Sequence, residues 1–92
     1  MEYSYPLRTD WKTEEIISVI AFYEIIEKAY EDGALQEKII NAYREFKKVV
    51  PSKAEEKTLL KEFEEASGYS SYLIVKSAEN AASGDTIKGT LK

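Results

Sequence analysis

The chain has 92 residues, of which 43% are hydrophobic and 33% charged, with a net charge of −4 and neither histidine nor cysteine. That length holds one domain, and the composition argues against wholesale disorder. The two missing residue types exclude Ser-His-Asp and Cys-His catalysis, zinc sites built on Cys and His, redox thiols and disulfides. No apolar run approaches the roughly 18–20 residues that cross a membrane. The first residues lack the basic segment and apolar stretch of a signal peptide, so the expected setting is the cytoplasm. An acidic chain is poorly suited to non-specific nucleic-acid binding. Its charge is unevenly spread: residues 13–33 sum to −5 and residues 34–50 to +2. This segregation predicts neighbouring helices that attract each other.

In chain order, residues 1–12 read as an extended arm. Pro6 pushes Tyr5 away from helical geometry, and Tyr3, Tyr5, Leu7 and Trp11 carry too much apolar surface for a free tail. A first helix is predicted over residues 14–31, capped by Thr13 or Asp10 and stopped by Gly33. Ile16, Val19, Ile20, Tyr23, Ile26 and Tyr30 share one face, widened by Phe22 and Ala29, while Ile17 and Ile25 fall outside it. A helix so broadly apolar is either central or covered by a second copy of the chain. A second helix, over 35–49, carries the stripe Leu35, Ile39, Ala42, Tyr43, Phe46 and Val49 and is stopped by Pro51. A third, over 53–66, starts at a Ser52–Glu55 capping box and closes at Gly68. Leu59, Leu60, Phe63 and Ala66 form its inner face. A fourth spans 71–82 with weaker periodicity. Residues 83–92 are short of apolar side chains and read as a frayed tail. The expected architecture is therefore all-α: residues 1–82 form one small three- to four-helix bundle with a docked arm, and no strand pattern is evident.

The segments SYP, W-x-T-E-E-I, AYE, VPSKAEEK, EF and SGYSSY together resemble the YktA-like uncharacterised family of low-GC Gram-positive bacteria. The likeness covers about residues 3–79 and excludes the tail. It implies a small helical fold and a bacterial cytoplasmic setting. It implies no activity.

Four constellations are candidates for function. Glu24 with Glu27, and Glu62 with Glu65, form E-x-x-E pairs on two helices, a pattern that could hold Mg²⁺ or Mn²⁺ for a phosphohydrolase-like reaction. No E-x-x-D helix accompanies them, and Lys28 sits four residues from Glu24, so a solvated acidic face is the simpler reading. Glu56 falls on the apolar face of the third helix, where a half-buried carboxylate needs a partner such as Lys or Tyr. Arg44, Lys47, Lys48, Lys53 and Lys57 crowd the corner between the second and third helices, an arrangement open to phosphate or nucleic acid but interrupted by Glu45, Glu55 and Glu56. Tyr3, Tyr5, Trp11, Tyr69 and Tyr72 lie at helix boundaries and in the arm. Rigid aromatics among small polar residues, as in Gly68–Tyr72, are favoured in binding loops and at interface hot spots. The preferred reading is a non-enzymatic protein-interaction module, an adaptor or a homodimer, that uses these aromatics and needs no cofactor. A carboxylate-metal enzyme is the alternative, and nucleic-acid binding a weaker third.

Overall fold

The computed structural model describes residues 4–90, so Tyr3 lies outside the described residues. Four helices and a two-stranded ladder follow in order: α1 (Thr13–Glu31), β1 (Ala34–Leu35), α2 (Gln36–Val49), α3 (Lys53–Ser67), α4 (Ser71–Glu79) and β2 (Thr86–Ile87). The expected all-α class holds, with the ladder as a small addition.

α1 is the central element. Val19, Phe22, Tyr23, Ile26 and Ala29 are buried on it, and it packs against α2, α4 and β1. Ile25, which lies outside the predicted stripe, is half-buried against the core, whereas Ile17 is 62% exposed. The breadth of the helix is thus covered largely from within the chain, without requiring a second copy. Its start differs from expectation. Lys12 is the N-cap and Thr13 is already helical; Glu15 reaches back to accept from the Lys12 N–H at 2.8 Å. Its end is as read. Gly33 takes φ +94° and its N–H bonds to the Lys28 carbonyl at 2.9 Å, a left-handed closure that glycine adopts without strain.

α3 begins where Ser52 accepts from the Glu55 N–H at 3.4 Å, the serine half of the expected box, and ends at Gly68 with φ +82°. Leu59 and Phe63 are its fully buried side chains. The Phe63 ring stacks on Tyr23 with centroids 4.6 Å apart. Tyr5 from the arm stacks on the same Tyr23 at 5.4 Å, and the Tyr23 hydroxyl donates to the Pro6 carbonyl at 3.0 Å. Burial first, and then the nearby Glu62 charge, push the Tyr23 hydroxyl well above its ordinary pKa, so it remains a donor. The docked arm is therefore held by one aromatic stack and by hydrogen bonds, including Tyr5 to Glu27 at 2.6 Å.

The expected attraction between oppositely charged helices is not built as ion pairs. Among the described residues, Lys47 pairs with Glu56 of α3, Lys48 with Glu45 of its own helix, and Arg8 of the arm with Glu62. α1 and α2 meet instead through aromatic stacking of Phe22 on Phe46, at 4.7 Å.

The segment after α4 departs most from expectation. The helix stops at Glu79 rather than at residue 82. Asn80 turns its side chain back to the Lys76 carbonyl at 3.0 Å, and the Asp85 carboxylate accepts from the Ala82 N–H at 2.9 Å. Asn and Asp offer such local bonds in competition with helix propagation. The chain then returns along β1 in antiparallel register, Ala34 opposite Ile87 and Leu35 opposite Thr86. It does not fray, because Ile87 is only 7% exposed, and burying such a side chain contributes roughly 1.5–3 kcal/mol. Beyond it the Gly89 backbone crosses the Tyr30 ring so closely that a Cβ there would overlap the ring carbons. Glu37 pins the turn by accepting from the Gly84 N–H at 2.9 Å, and this bond lowers the carboxyl pKa below its ordinary 4.5.

Two predictions follow from the tail. In Gly33→Ala the new methyl meets left-handed backbone and the Thr86 methyl at 2.8 Å; a stability loss of about 1–3 kcal/mol is expected, read as a lower Tm and faster amide exchange at Ile87. A Tm within error of the parent's would mean that the ladder does not constrain Gly33. For Glu37, whose folded-state pKa is the lower one, the contribution of the pin is complete above the unfolded pKa and disappears as pH falls through the folded value. Tail amides should lose protection below about pH 4.5, and Glu37→Gln should remove that pH dependence. Identical profiles for parent and variant would contradict the assignment.

Candidate functional site, a groove along the third helix

While Leu59 and Phe63 turn to the core, a second face of α3 is left open. Lys53, Glu56, Lys57, Leu60, Lys61 and Glu64, at spacings of three and four, line a cavity of about 360 Å³. Tyr43 of α2 and Ser71 and Tyr72 of α4 complete its lining. A smaller hollow of about 80 Å³ shares Tyr43, Glu56, Leu60 and Tyr72 with it and extends to Val75, Lys76 and Glu79.

The polar floor is a closed network. One Glu56 oxygen accepts from the Tyr43 hydroxyl at 2.7 Å and the other from the Lys47 ammonium at 2.7 Å. This answers the question posed by a carboxylate on an apolar helix face, since its partners are both a Tyr and a Lys. Burial, and then the hydrogen bond and charge of Glu56, hold the Tyr43 hydroxyl well above its usual pKa. With its charge balanced by Lys47 and both oxygens engaged, Glu56 is poorly placed to move protons.

Two features at this end of α4 have no internal explanation. Ser71 is 1% exposed, and its hydroxyl has no hydrogen-bond partner among the described residues. A buried hydroxyl left without a partner costs roughly 1–3 kcal/mol. Beside it Tyr72 is 62% exposed and Leu73 58%, both in the first turn of α4. Ser71 also has no bonded base to activate it as a nucleophile. The groove presents apolar contact from Leu60 and Tyr43 and the charge of three lysines.

The described boundary aromatics do not gather on one surface. Tyr5 is committed to Glu27, Tyr23 and Phe63, and Trp11 is half-buried against the core. Tyr69 stacks on Tyr30 at 4.7 Å and reaches Glu31 at 3.4 Å. The backbone of neighbouring Ser70 exchanges two bonds with the Tyr30 hydroxyl, at 3.1 and 3.2 Å. Of the five proposed aromatics, Tyr72 is therefore the one the fold leaves free in the described region. Nor are the paired glutamates assembled into a metal site. Glu27 accepts from Tyr5 and Glu62 pairs with Arg8, and no group of three or more acidic side chains among the described residues is placed to hold an ion together. The basic corner is divided: Lys47 and Lys48 are paired, while Lys53 and Lys57 line the groove. Sequence reasoning placed Tyr43 and Leu60 in the core and did not single out Ser71 or Lys61. Besides the off-pattern Glu56, Tyr72 and the basic Lys53 and Lys57 are the residues of this face that the sequence singles out.

A small helical protein with a docked arm, a returning tail and a lysine-lined groove is the class that this geometry defines. The chain belongs to the Uncharacterised protein family (UPF0223), whose model matches residues 2–87. It is 58% identical over 88 residues to a UPF0223 protein of Lysinibacillus sphaericus, covering 96% of this chain and 93% of that protein. To YktA of Bacillus subtilis it is 56% identical over 81 residues, covering 88% and 92%. The resemblance read from the sequence is thereby established, and it reaches further than read, into the returning tail. No helix among the described residues is long and apolar enough to cross a membrane.

The Glu56 network should be structural. Glu56→Gln is expected to lower stability by about 1–3 kcal/mol, because Lys47 loses its partner in a half-buried site. For a domain of this size that corresponds to a fall in Tm of roughly 4–8 °C per kcal/mol in a thermal melt. An unchanged melt would show that the network contributes nothing.

Proposed function

We propose that this protein is a non-enzymatic binding module that docks an acidic, apolar-bearing segment of another protein in the α3 groove. The observation that carries this reading is the exposed Tyr72 at the edge of a hollow that also contains an unbonded buried hydroxyl. Aromatic anchors beside desolvated pockets are the usual hot spots of interfaces. The sign of the occupant follows from charge. Three lysines line the groove against Glu56 and Glu64, and Glu56 is already balanced by Lys47. Leu60 and the Tyr43 ring supply an apolar contact for one inserted side chain.

The residues argue for binding over catalysis. The groove holds no nucleophile with a bonded base, and its carboxylate is engaged on both oxygens. The alternative of a carboxylate-metal enzyme loses its motivation because Glu24, Glu27, Glu62 and Glu65 are not brought together as a ligand set.

A photo-cross-linker placed at position 72 in the native cell identifies the docked protein, which is then purified and titrated against this chain. Tyr72→Ala should weaken its Kd by about tenfold or more, whereas Ile17→Ala, on an exposed position of α1, should leave it unchanged. Equal affinity for the parent and Tyr72→Ala would overturn the reading.

A further inference from the structure

We infer that the groove receives its occupant as an α-helix lying along α3, with carboxylates one turn apart facing Lys53, Lys57 and Lys61. This deepens the binding-module reading above and rests on it. The walls of the groove come from α2, α3 and α4, which are helices and offer no row of unpaired strand groups. An extended peptide laid there would find no sheet edge to pair with, and its N–H and C=O groups would lose water without replacement. A helix brings its own backbone bonds and presents only side chains, as in helix-in-groove recognition.

The register of the lining supports the same geometry. The six α3 residues recur at intervals of three and four, the pattern by which one helix offers ridges to another. The three lysines rise about 6 Å per step along the axis. Glutamates or aspartates four apart on a second helix repeat with the same rise and meet all three lysines in phase. Glu64 follows Lys61 on the same face, so the acidic run of the partner ends within that length and a basic or neutral residue lies opposite Glu64. The hollow of about 360 Å³ accommodates side chains rather than a whole helix, so an apolar residue of the partner enters over Leu60 and Tyr43.

The test uses the full chain and synthetic peptides of about 18 residues, or five turns. One peptide carries glutamates at i, i+4 and i+8 beside a leucine stripe. Another has the same composition with the glutamates spread around the helix, and a third has a central proline that breaks it. Binding is read by amide shift changes at Lys57, Leu60, Ser71 and Tyr72. The in-register peptide should bind at least about tenfold tighter than either control. Lys57→Glu with Lys61→Glu, both exposed positions, should abolish that binding, and a peptide with lysines in place of the glutamates should restore it. Equal binding of all three acidic peptides would overturn the helical occupant and leave the acidic docking reading standing. No groove shifts with any of them at about millimolar concentration would overturn both. A single-stranded oligonucleotide that displaces the peptide at equal concentration would assign the lysines to phosphates and overturn the proposal as well.

Discussion

The stack of Phe63 on Tyr23 is the contact on which the rest of this structure depends. Tyr23 is fully buried on the central helix, with Phe22 and Phe46 around it, Phe63 on one side and the arm's Tyr5 close by. Its ring joins α3 and the arm to the α1–α2 pair, and its hydroxyl holds the arm's backbone at Pro6. Aromatic pairs of this kind contribute about 0.5–1.5 kcal/mol beyond their buried area. Because α3 meets the body through the large side chains Leu59 and Phe63, its other face stands open. That spacing creates the groove.

A groove of this kind would close if its polar groups found one another. Glu56 does so, satisfied by Tyr43 and Lys47. The lysines on the next stripe of α3 and the Ser71 hydroxyl do not. A protein this small has little stability to spare, so the unbonded buried Ser71 hydroxyl is a cost that its fold carries. The reactive types that the chain retains, carboxylates and tyrosines, are meanwhile tied into structural bonds at Tyr5–Glu27 and Tyr43–Glu56. Tyr5, Glu27, Tyr43 and Glu56 thus hold elements together.

Most of the helical architecture was legible because its signals are local. Pro51, Ser52, Gly33 and Gly68 act on the backbone within a turn of where they stand, and the apolar stripes of the first three helices follow from periodicity alone. The rest has a different cause. The tail was read as frayed because its single buried anchor, Ile87, is too sparse to make a pattern, and its pairing partner lies more than fifty residues away at Ala34. The boundary aromatics are alike in type, and the sequence does not say which neighbour each takes: Tyr69 turns to Tyr30 and Tyr5 to Tyr23. The off-pattern Glu56 did point to the groove, since an acid on an apolar face demands partners whatever the fold. Ser71 gave no such signal, because a serine beside an N-cap is ordinary in sequence and becomes notable only when nothing bonds to it.

The sequence by itself determined the helices, their boundaries to within a residue or so for the first three, the membership of a family, and the absence of His- and Cys-based chemistry. These depend on residue identity and short-range backbone preferences. Only the tertiary structure decided which aromatics are free, that the E-x-x-E pairs do not converge, that the tail returns as a strand, and that one face of α3 remains open. Each of those depends on which side chains from distant segments arrive at the same place, and local propensities carry no information about that meeting.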